Sequence, residues 1–253
     1  MVKALIPQKL RQLIKLRVYS GNTYHCPMCG YDSKSLYSLG HDLPILEEKE
    51  VVGSKRRDAG CHSCRSTDRD RLVFVFLKEK LQIFQNKEIK ILHFAPEKAL
   101  SKVLFKTGFE EYVCGDLFTE GYFYPDYVRN MNVLDIPFGE NYFDLIICNH
   151  LLEHVPDDRA AMQELFRVLK PGGKAILQVP LSLNSEKTDE DFTLTNPSEK
   201  EQRFGQFDHV RIYGQDYFDR LESVGFNVEK HHLYNEYPTY GLSIDEFIIQ
   251  GGK

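Results

Sequence analysis

From about residue 89 onward, apolar and polar positions alternate between the periodicity of a buried strand and that of a helix. Continuous apolar runs predict strands at 89–95 ("IKILHFA"), 111–116 ("EYVCGD"), 132–135 ("NVLD"), 143–149 ("FDLIICN"), 174–180 ("KAILQVP"), 226–233 ("FNVEKHHL") and 245–250 ("DEFIIQ"). Helical spacing predicts helices over 97–108, 157–173 and 216–226. Alternating strands and helices with two-sided apolar strands indicate an α/β fold, a mainly parallel doubly wound sheet. Ligands of such sheets bind at the carboxyl ends of the strands.

A polar stretch at 181–209 interrupts this alternation directly after a predicted strand. Because it follows a strand end, it belongs on the ligand side of the sheet, and a long loop there is either a lid or a disordered segment. The run "FGQFDHVRIYG" at 204–214 mixes aromatic, acidic, His and Arg residues, which is unusual for a disordered linker. We therefore expect a lid.

Charge divides the chain into two parts. Residues 1–80 contain 15 Lys and Arg against 9 Asp and Glu, and the remainder contains 17 against 28. A basic front and an acidic body indicate two units with different surfaces, although a mixed, solvated surface explains the same counts. No apolar run reaches the roughly 20 residues of a membrane span, and the first twenty residues do not resemble a secretory signal. The predicted location is cytoplasmic, and a short amphipathic helix is expected near the start.

Four of the six cysteines form two CxxC pairs, "CPMCG" and "CHSC". Two such turns can direct four thiolates at one tetrahedral ion, so Cys26, Cys29, Cys61 and Cys64 are predicted to bind a structural zinc ion. The alternatives are pairs that bind nothing or a redox pair, and His25 and His62 lie next to the cysteines as competing ligands. Cys114 and Cys148 lie in predicted strands and are expected to be buried.

The segment 135–179, "DIPFGENYFDLIICNHLLEHVPDDRAAMQELFRVLKPGGKAILQV", closely resembles class I S-adenosylmethionine-dependent methyltransferases of the small-substrate, biosynthetic type. The resemblance extends over roughly 88–250 and implies a Rossmann-like, seven-stranded sheet with the cofactor across the ends of its first four strands. The front resembles the cysteine-bearing front of bacterial proteins with such a domain, and a ribosomal RNA guanine methyltransferase is built similarly. The expected organisation is a basic helix (1–21), a zinc-ribbon-like module (22–70) and a methyltransferase domain (71–253).

The resemblance also implies cofactor contacts. Asp116 would accept hydrogen bonds from the ribose hydroxyls, and Leu117 would cover the adenine. Asp135 would accept the adenine amino group, with Ile136 giving a backbone contact. Asn149, together with His150, would lie near the methionine portion and the methyl group. A strand-end cap and a turn residue are the structural alternatives for the two aspartates.

The first strand-to-helix loop departs from the family pattern, because it contains no glycine. His93 occupies the position of the usual acid, and Ala95, Glu97 and Ala99 occupy those of the glycines. We expect His93, Ala95 and Glu97 to contribute to an altered cofactor site, with Glu97 pairing with the methionine amino group. Pro96 is expected at the first helical position, where its missing N–H costs nothing.

Two functions fit these features. The first is methyl transfer to a small-molecule or sugar-like acceptor, with RNA as a less favoured acceptor. Proton removal would fall to His209 and Asp208 first, with His154 and His150 next, although a structural role is favoured for His154. The second is a non-catalytic module that binds RNA or protein. Arg211 holds either an anionic substrate group or a structural carboxylate. One or more of the arginines at 65, 69 and 71 either reaches Asp208 or an anionic substrate in the cleft, or the run caps the following helix and binds its own Asp68 and Asp70.

Overall fold

The computed structural model describes residues 7–40, 43–54, 56–119 and 123–253. The front begins with helix α1 (Gln8–Tyr19), followed by an antiparallel pair of short strands, β1 (Ser20–His25) and β2 (Asp32–Ser33). A short helix α2 (Pro44–Glu48) precedes helix α3 (Asp68–Val75), which continues as one wider turn over Phe76–Lys80. Thr67 and Asp70 form a capping box that fixes the start of α3.

The body is a seven-stranded sheet. Its strands are β3 (Lys90–Phe94), β4 (Glu111–Asp116), β5 (Val128–Asn130), β6 (Phe143–Cys148), β7 (Leu169–Ile176), β10 (Asn227–His231) and β11 (Ile248–Gly252). The spatial order is β10-β11-β7-β6-β3-β4-β5. Strand β11 is antiparallel to both neighbours, and the remaining pairs are parallel. The predicted α/β fold class with a mainly parallel seven-stranded sheet is confirmed.

Helices α4 (Lys98–Thr107), α5 (Asp158–Val168) and α7 (Tyr217–Ser223) flank the sheet. Alternate residues of β6 point to opposite faces, as the pleat requires. Ile147 packs with α3 and α4 on one face, whereas Ile146 packs with α5 and α7 on the other. The apolar run that follows the second cysteine pair therefore belongs to the core of the body. Among the described helices, none combines the length and apolar character that crossing a bilayer requires.

Two element predictions need correction. The third strand lies at Val128–Asn130, not at 132–135. Residues 132–135 form a turn, in which the Asn132 side chain accepts a hydrogen bond from the N–H of Leu134 at 3.0 Å. Helix α5 ends at Val168, and β7 already begins at Leu169. The helix stops early because Pro171 disfavours helical backbone at the residue before it.

The stretch at 181–209 is folded. It contains β8 (Asp189–Glu190) and helix α6 (Pro197–Phe204), and β8 pairs with β9 (Arg211–Ile212) just beyond it. The front of the chain packs directly against it. The N–H of Val52 donates to the carbonyl of Leu181 at 2.9 Å, and that of Leu183 donates to the carbonyl of Glu50 at 3.2 Å. These contacts bring the front and this stretch together.

Candidate functional site

The four front cysteines converge. Their sulfur atoms all lie within 4.8 Å of one another, with 3.7 Å between Cys26 and Cys64 and 3.8 Å between Cys29 and Cys61. A tetrahedral zinc ion with Zn–S bonds of about 2.3 Å has sulfur–sulfur edges of about 3.8 Å, whereas a disulfide is close to 2 Å. The donor set and its spacing fit a closed zinc site.

The neighbouring histidines have other contacts. His25 Nδ1 lies 2.7 Å from an oxygen of Asp32, and the ring of His62 stacks on Tyr19 at a centroid distance of 3.8 Å. Neither histidine belongs to the four-cysteine group, so the cysteines can supply all four positions of a tetrahedral site.

The arginines that follow Cys64 lie in different parts of the structure. Arg71 is fully buried and donates to the backbone carbonyls of Ser66, Ala59, Tyr240 and Gly241. These hydrogen bonds connect the backbone of the front to that of residues 240–241. Arg71 therefore does not reach the cleft, and the hypothesis is wrong for this residue. Arg65 lies over the ring of Tyr37.

Arg69 does line the cleft. Its Nε lies 3.2 Å from a carboxylate oxygen of Glu246, which is the partner that the sequence did not predict. Asp68 and Asp70 have other partners than the predicted arginines. Asp68 accepts from Arg56, and Asp70 accepts from the N–H of Thr67.

The glycine-free loop follows β3. Ala95 has a φ of 45°, in the left-handed region that favours glycine, and its N–H donates to the carbonyl of Gly115 at 2.9 Å. Strained backbone held in this way is typical of ligand sites. Pro96 does not open the helix as expected, because α4 begins at Lys98 with Glu97 as its N-cap.

Glu97 lies at the centre of a buried network. One carboxylate oxygen is 2.7 Å from His93 Nε2, and the other accepts from Asn149 Nδ2 at 2.9 Å. Burial alone would raise the pKa of Glu97, but hydrogen bonds from His93 and Asn149 outweigh it and lower that pKa below its ordinary value. His93 Nδ1 is 2.8 Å from the Tyr112 hydroxyl, so both ring nitrogens are engaged and His93 lies behind Glu97.

The remaining predicted cofactor residues lie at the same edge of the sheet. Asp116 ends β4, where burial raises its pKa although the N–H of Leu117 opposes the shift. Leu117 and Asp135 are exposed. Ile136 is buried, and its N–H already donates to Glu164 at 2.9 Å, so the expected backbone contact is occupied.

The residues at this edge fit S-adenosylmethionine. Asn149 is buried, and its Oδ1 has no hydrogen-bond partner within the described residues. Together with the Glu97 carboxylate it offers acceptors to an ammonium group, and the Asp116 carboxylate matches a pair of hydroxyls. The orphaned Asn149 oxygen is the observation that favours a ligand here, because buried polar atoms rarely lack a partner.

A cleft of about 810 Å³, counted to its open mouth, lies beside this edge. Its walls come from the front and from the stretch around α6. The lining includes Val51, Val52, Gly53, Ser54, Arg56, Arg69, His150, Glu153, His154, Phe204, Gly205, Gln206 and His209. The structure therefore brings His150 and His209, two of the three predicted catalytic residues, to one cleft.

His150 has strained backbone and a free ring nitrogen. Its φ is 52°, and its N–H donates to the Gln178 carbonyl at 2.7 Å. Its Nδ1 lies 3.5 Å from Oε1 of Glu153, and its buried Nε2 has no partner in the part of the chain that the structure describes. His150 can therefore accept a proton at Nε2 while Glu153 orients the ring.

Asp208, the third predicted catalytic residue, lies against His154. Its Oδ2 is 3.3 Å from His154 Nδ1. Burial disfavours the charged forms of both groups, but their interaction outweighs it, raising the pKa of His154 and lowering that of Asp208 to about 2. Burial lowers the pKa of His209, whose Nδ1 lies 3.1 Å from the Phe204 carbonyl.

Glu153 was missed by the sequence reasoning. It is almost fully buried, and its pKa falls to about 2 because contacts with His150, His154 and His209 outweigh the cost of burial. The signal was present in "HLLEH", where an acid next to His154 and three residues after His150 lies among apolar residues. Arg211, in contrast, is fully buried. It donates hydrogen bonds to Glu190 and to the carbonyls of residues 152, 155 and 156, so its role is structural.

Comparison with known proteins agrees with this geometry. Residues 99–177 match the family model described as a methyltransferase domain. The ubiquinone/menaquinone biosynthesis C-methyltransferase UbiE of Vibrio cholerae is 44% identical over 46 residues, which is 18% of each chain. The demethylmenaquinone methyltransferase of Geobacillus is 42% identical over 45 residues, 18% of this chain and 19% of that one. The chain thus matches less than a fifth of the length of these relatives.

Solved structures share the fold. The [4+2]-cyclase SpnF aligns with a TM-score of 0.50 and 14% identity, covering 73% of this chain and 81% of that chain. A SAM-dependent methyltransferase from Archaeoglobus fulgidus aligns with a TM-score of 0.47 and 13% identity, covering 75% and 96%. Residues 99–177, which hold strands β4 to β7 of the sheet, are therefore similar to a methyltransferase domain, and a four-cysteine module precedes them in the chain.

Proposed function

We propose that the protein transfers a methyl group from S-adenosylmethionine to a small oxygen- or nitrogen-bearing acceptor bound in the cleft. The observation that carries this proposal is the position of Asn149 and His150. Asn149 offers a buried acceptor beside Glu97, and the adjacent His150 lines the cleft; Asn149 Oδ1 and His150 Nε2 both lack a hydrogen-bond partner among the described residues. One strand end thus serves the cofactor and the acceptor together.

The cofactor would be held by carboxylates at three loops. Asp116 accepts from the ribose hydroxyls, and the exposed Asp135 accepts from the adenine amino group, while Leu117 covers the ring. Glu97 and Asn149 accept from the methionine ammonium, with His93 holding Glu97 in place through its hydrogen bond of 2.7 Å. Ala95 leaves room for the close approach of the ligand because its side chain is a single methyl group.

When bound, the cofactor would supply a methyl group on a sulfonium sulfur, which would leave with the bonding electrons as the acceptor took the methyl group. Because the sulfonium is already a good leaving group, the protein contributes chiefly position and proton removal. His150 Nε2 takes the proton of the acceptor, and Glu153 keeps the ring oriented through Nδ1. His209 lines the same cleft and shapes the acceptor side, and Asp208 contacts His154, which also lines it.

A small acceptor suits the shape of the site. The cleft is walled by the front at 51–54 and by residues 204–206 beyond α6, so the acceptor approaches between two folded segments. Arg56 and Arg69 lie in this wall and are paired with Asp68 and Glu246, respectively.

The zinc site is structural in this proposal, because four cysteines leave no open coordination position. Its role is to fix the front as a wall of the cleft. The residues around this cleft favour a small acceptor over an RNA strand.

The experiment has two stages. Calorimetry with S-adenosylmethionine measures binding to the whole chain, and labelled methyl transfer into fractionated metabolite extracts then identifies the acceptor. Wild type is compared with His150→Gln and with His232→Gln, which alters an exposed histidine outside the cleft. We expect His150→Gln to bind the cofactor within a few-fold of wild type and to lose methyl transfer at least a hundredfold. Absence of cofactor binding by wild type would instead support a non-catalytic binding module.

A further inference from the structure

Two histidines in the cleft have the same hydrogen-bonding arrangement. His154 Nδ1 faces Asp208 at 3.3 Å, and His209 Nδ1 faces the Phe204 carbonyl at 3.1 Å. In both rings the acceptor holds the proton on Nδ1 and leaves the Nε2 lone pair available. A carboxylate or carbonyl behind the distal ring nitrogen is the usual support of a histidine that ligates a metal.

The carboxylate of Glu153 completes a group of three ligands. One potential ligand atom from each of Glu153, His154 and His209 lies within 4.8 Å of the others. His209 Nε2 is 3.9 Å from Oε1 of Glu153, too far for a hydrogen bond, so the two groups face each other without bonding directly. Oε2 of Glu153 is buried and lacks a partner anywhere in the described ranges.

The charges around this group also favour a cation. Glu153 and Asp208 place two carboxylates beside the two imidazoles, Glu153 at 3.9 Å from His209 and Asp208 at 3.3 Å from His154. The two arginines of the cleft wall are already engaged, Arg56 by Asp68 and Arg69 by Glu246. Glu153 is almost fully buried beside these imidazoles, and a divalent ion between the three ligands would offset the cost of burying its charge.

We propose that Glu153, His154 and His209 form a second metal site, which binds a divalent first-row transition ion in the wall of the cleft. Two imidazoles and one carboxylate suit Fe²⁺, Co²⁺, Ni²⁺ or Zn²⁺ better than Ca²⁺ or Mg²⁺. Bonds of about 2.0–2.2 Å require the ligand atoms to move inward by several tenths of an ångström. His154 can move in this way because its side chain is partly exposed at the wall.

Three protein ligands leave positions open toward the cleft. If the proposed methyl transfer holds, those positions select an acceptor with an oxygen that can coordinate the ion, and coordination lowers the pKa of that oxygen. This consequence rests on the proposed function, whereas metal binding itself does not. His150 remains outside the ligand set and keeps its Nε2 for the acceptor proton.

The test uses Co²⁺ as the probe and the zinc-loaded whole chain. After dialysis against Co²⁺ and removal of the excess, element-resolved mass spectrometry counts both metals. We expect one zinc and one cobalt per chain, without the strong thiolate-to-cobalt absorption that exchange into the cysteine site would give. Glu153→Gln and His209→Gln should retain the zinc and lose at least nine tenths of the cobalt, whereas His232→Gln should retain both.

Wild type with one zinc and no cobalt would overturn the proposal, as would unchanged cobalt in both ligand variants. Zinc content and a cooperative thermal transition report folding in each sample. Should the buried Glu153 variant fail to fold, His154→Gln at the partly exposed wall provides the same measurement. Calorimetry with S-adenosylmethionine on the same samples separates the two proposals: cofactor binding without cobalt overturns only the metal site, and cobalt without cofactor binding overturns only the proposed function.

Discussion

Asn149 donates a hydrogen bond from Nδ2 to the carboxylate of Glu97 at 2.9 Å. This contact joins the loop after β3 to the end of β6, two neighbouring strands whose carboxyl ends share one edge of the sheet. It leaves Asn149 Oδ1 buried and unpartnered among the described residues. The pair therefore acts as one acceptor surface, preassembled before any ligand arrives.

Asn149→Ala should weaken S-adenosylmethionine binding by about 1.5–3 kcal/mol, a loss of roughly ten- to a hundredfold in Kd. The change removes the free acceptor and also releases Glu97 from its hydrogen bond. Calorimetry measures the loss, with Asn227→Ala on the exposed side of β10 as the matched control. Equal affinity in both variants would remove Asn149 from the cofactor site.

Asp116→Ala should cost cofactor binding a similar amount, about 1.5–3 kcal/mol, because two ribose hydroxyls lose their charged acceptor. The free energy of unfolding should change little, since the only described hydrogen bond to this side chain comes from the N–H of Leu117. Calorimetry and chemical denaturation test the two halves separately. An unchanged Kd would contradict the placement of the ribose at the end of β4.

Cys26→Ser should lower the zinc content from one per chain to near zero and loosen the front. The sulfur atoms sit at the spacing of a zinc tetrahedron, and three thiolates hold zinc less tightly than four. Because α3 packs in the core of the body, we expect the melting temperature to fall as well. Cys114→Ser, in β4, is the control for a buried cysteine outside the cluster. Elemental analysis with full zinc in Cys26→Ser would refute the assignment.

The sheet could be predicted from the sequence because buried strands leave continuous apolar runs, as in β6. The third strand could not, since Val128–Asn130 has one buried residue and two exposed ones and therefore carries no such run. The grouping of the four front cysteines was predictable from spacing. The partner of Arg69 was not, because it depends on how the front folds over the sheet edge, which is a long-range contact that local periodicity does not record.

Arg69 and Arg71 should respond differently to substitution although they are two residues apart. Arg71→Met leaves four buried carbonyls without their donor, so the free energy of unfolding should fall by at least about 3 kcal/mol. Arg69→Met should lower turnover as well as stability, because Arg69 lines the cleft and pairs with the buried Glu246. Chemical denaturation and, once an acceptor is known, steady-state kinetics measure the two effects. The reverse pattern would contradict the positions assigned to these side chains.

Glu190 gives stability that depends on pH. Its carboxylate lies 3.0 Å from Arg211 Nε and 3.1 Å from Arg220 Nη2, and Arg211 is fully buried. Burial alone would raise the pKa of Glu190, but the two arginines outweigh it and lower that pKa in the folded protein. The stabilisation is therefore complete above the unfolded pKa of about 4.3 and is lost as the pH falls through the lower folded value.

Glu190→Gln should consequently reduce the free energy of unfolding at pH 7 by about 3 kcal/mol, since it leaves a buried guanidinium without its anion. The difference from wild type should begin to shrink as the pH falls below about 4.3 and should vanish below the lower folded pKa, where the wild-type carboxylate is neutral as well. Denaturation at several pH values measures both quantities. Glu186→Gln, an exposed acid in the same stretch, should follow wild type throughout. A Glu190→Gln deficit that stayed constant down to pH 2 would show that packing, and not the charge of Glu190, holds this stretch against the body.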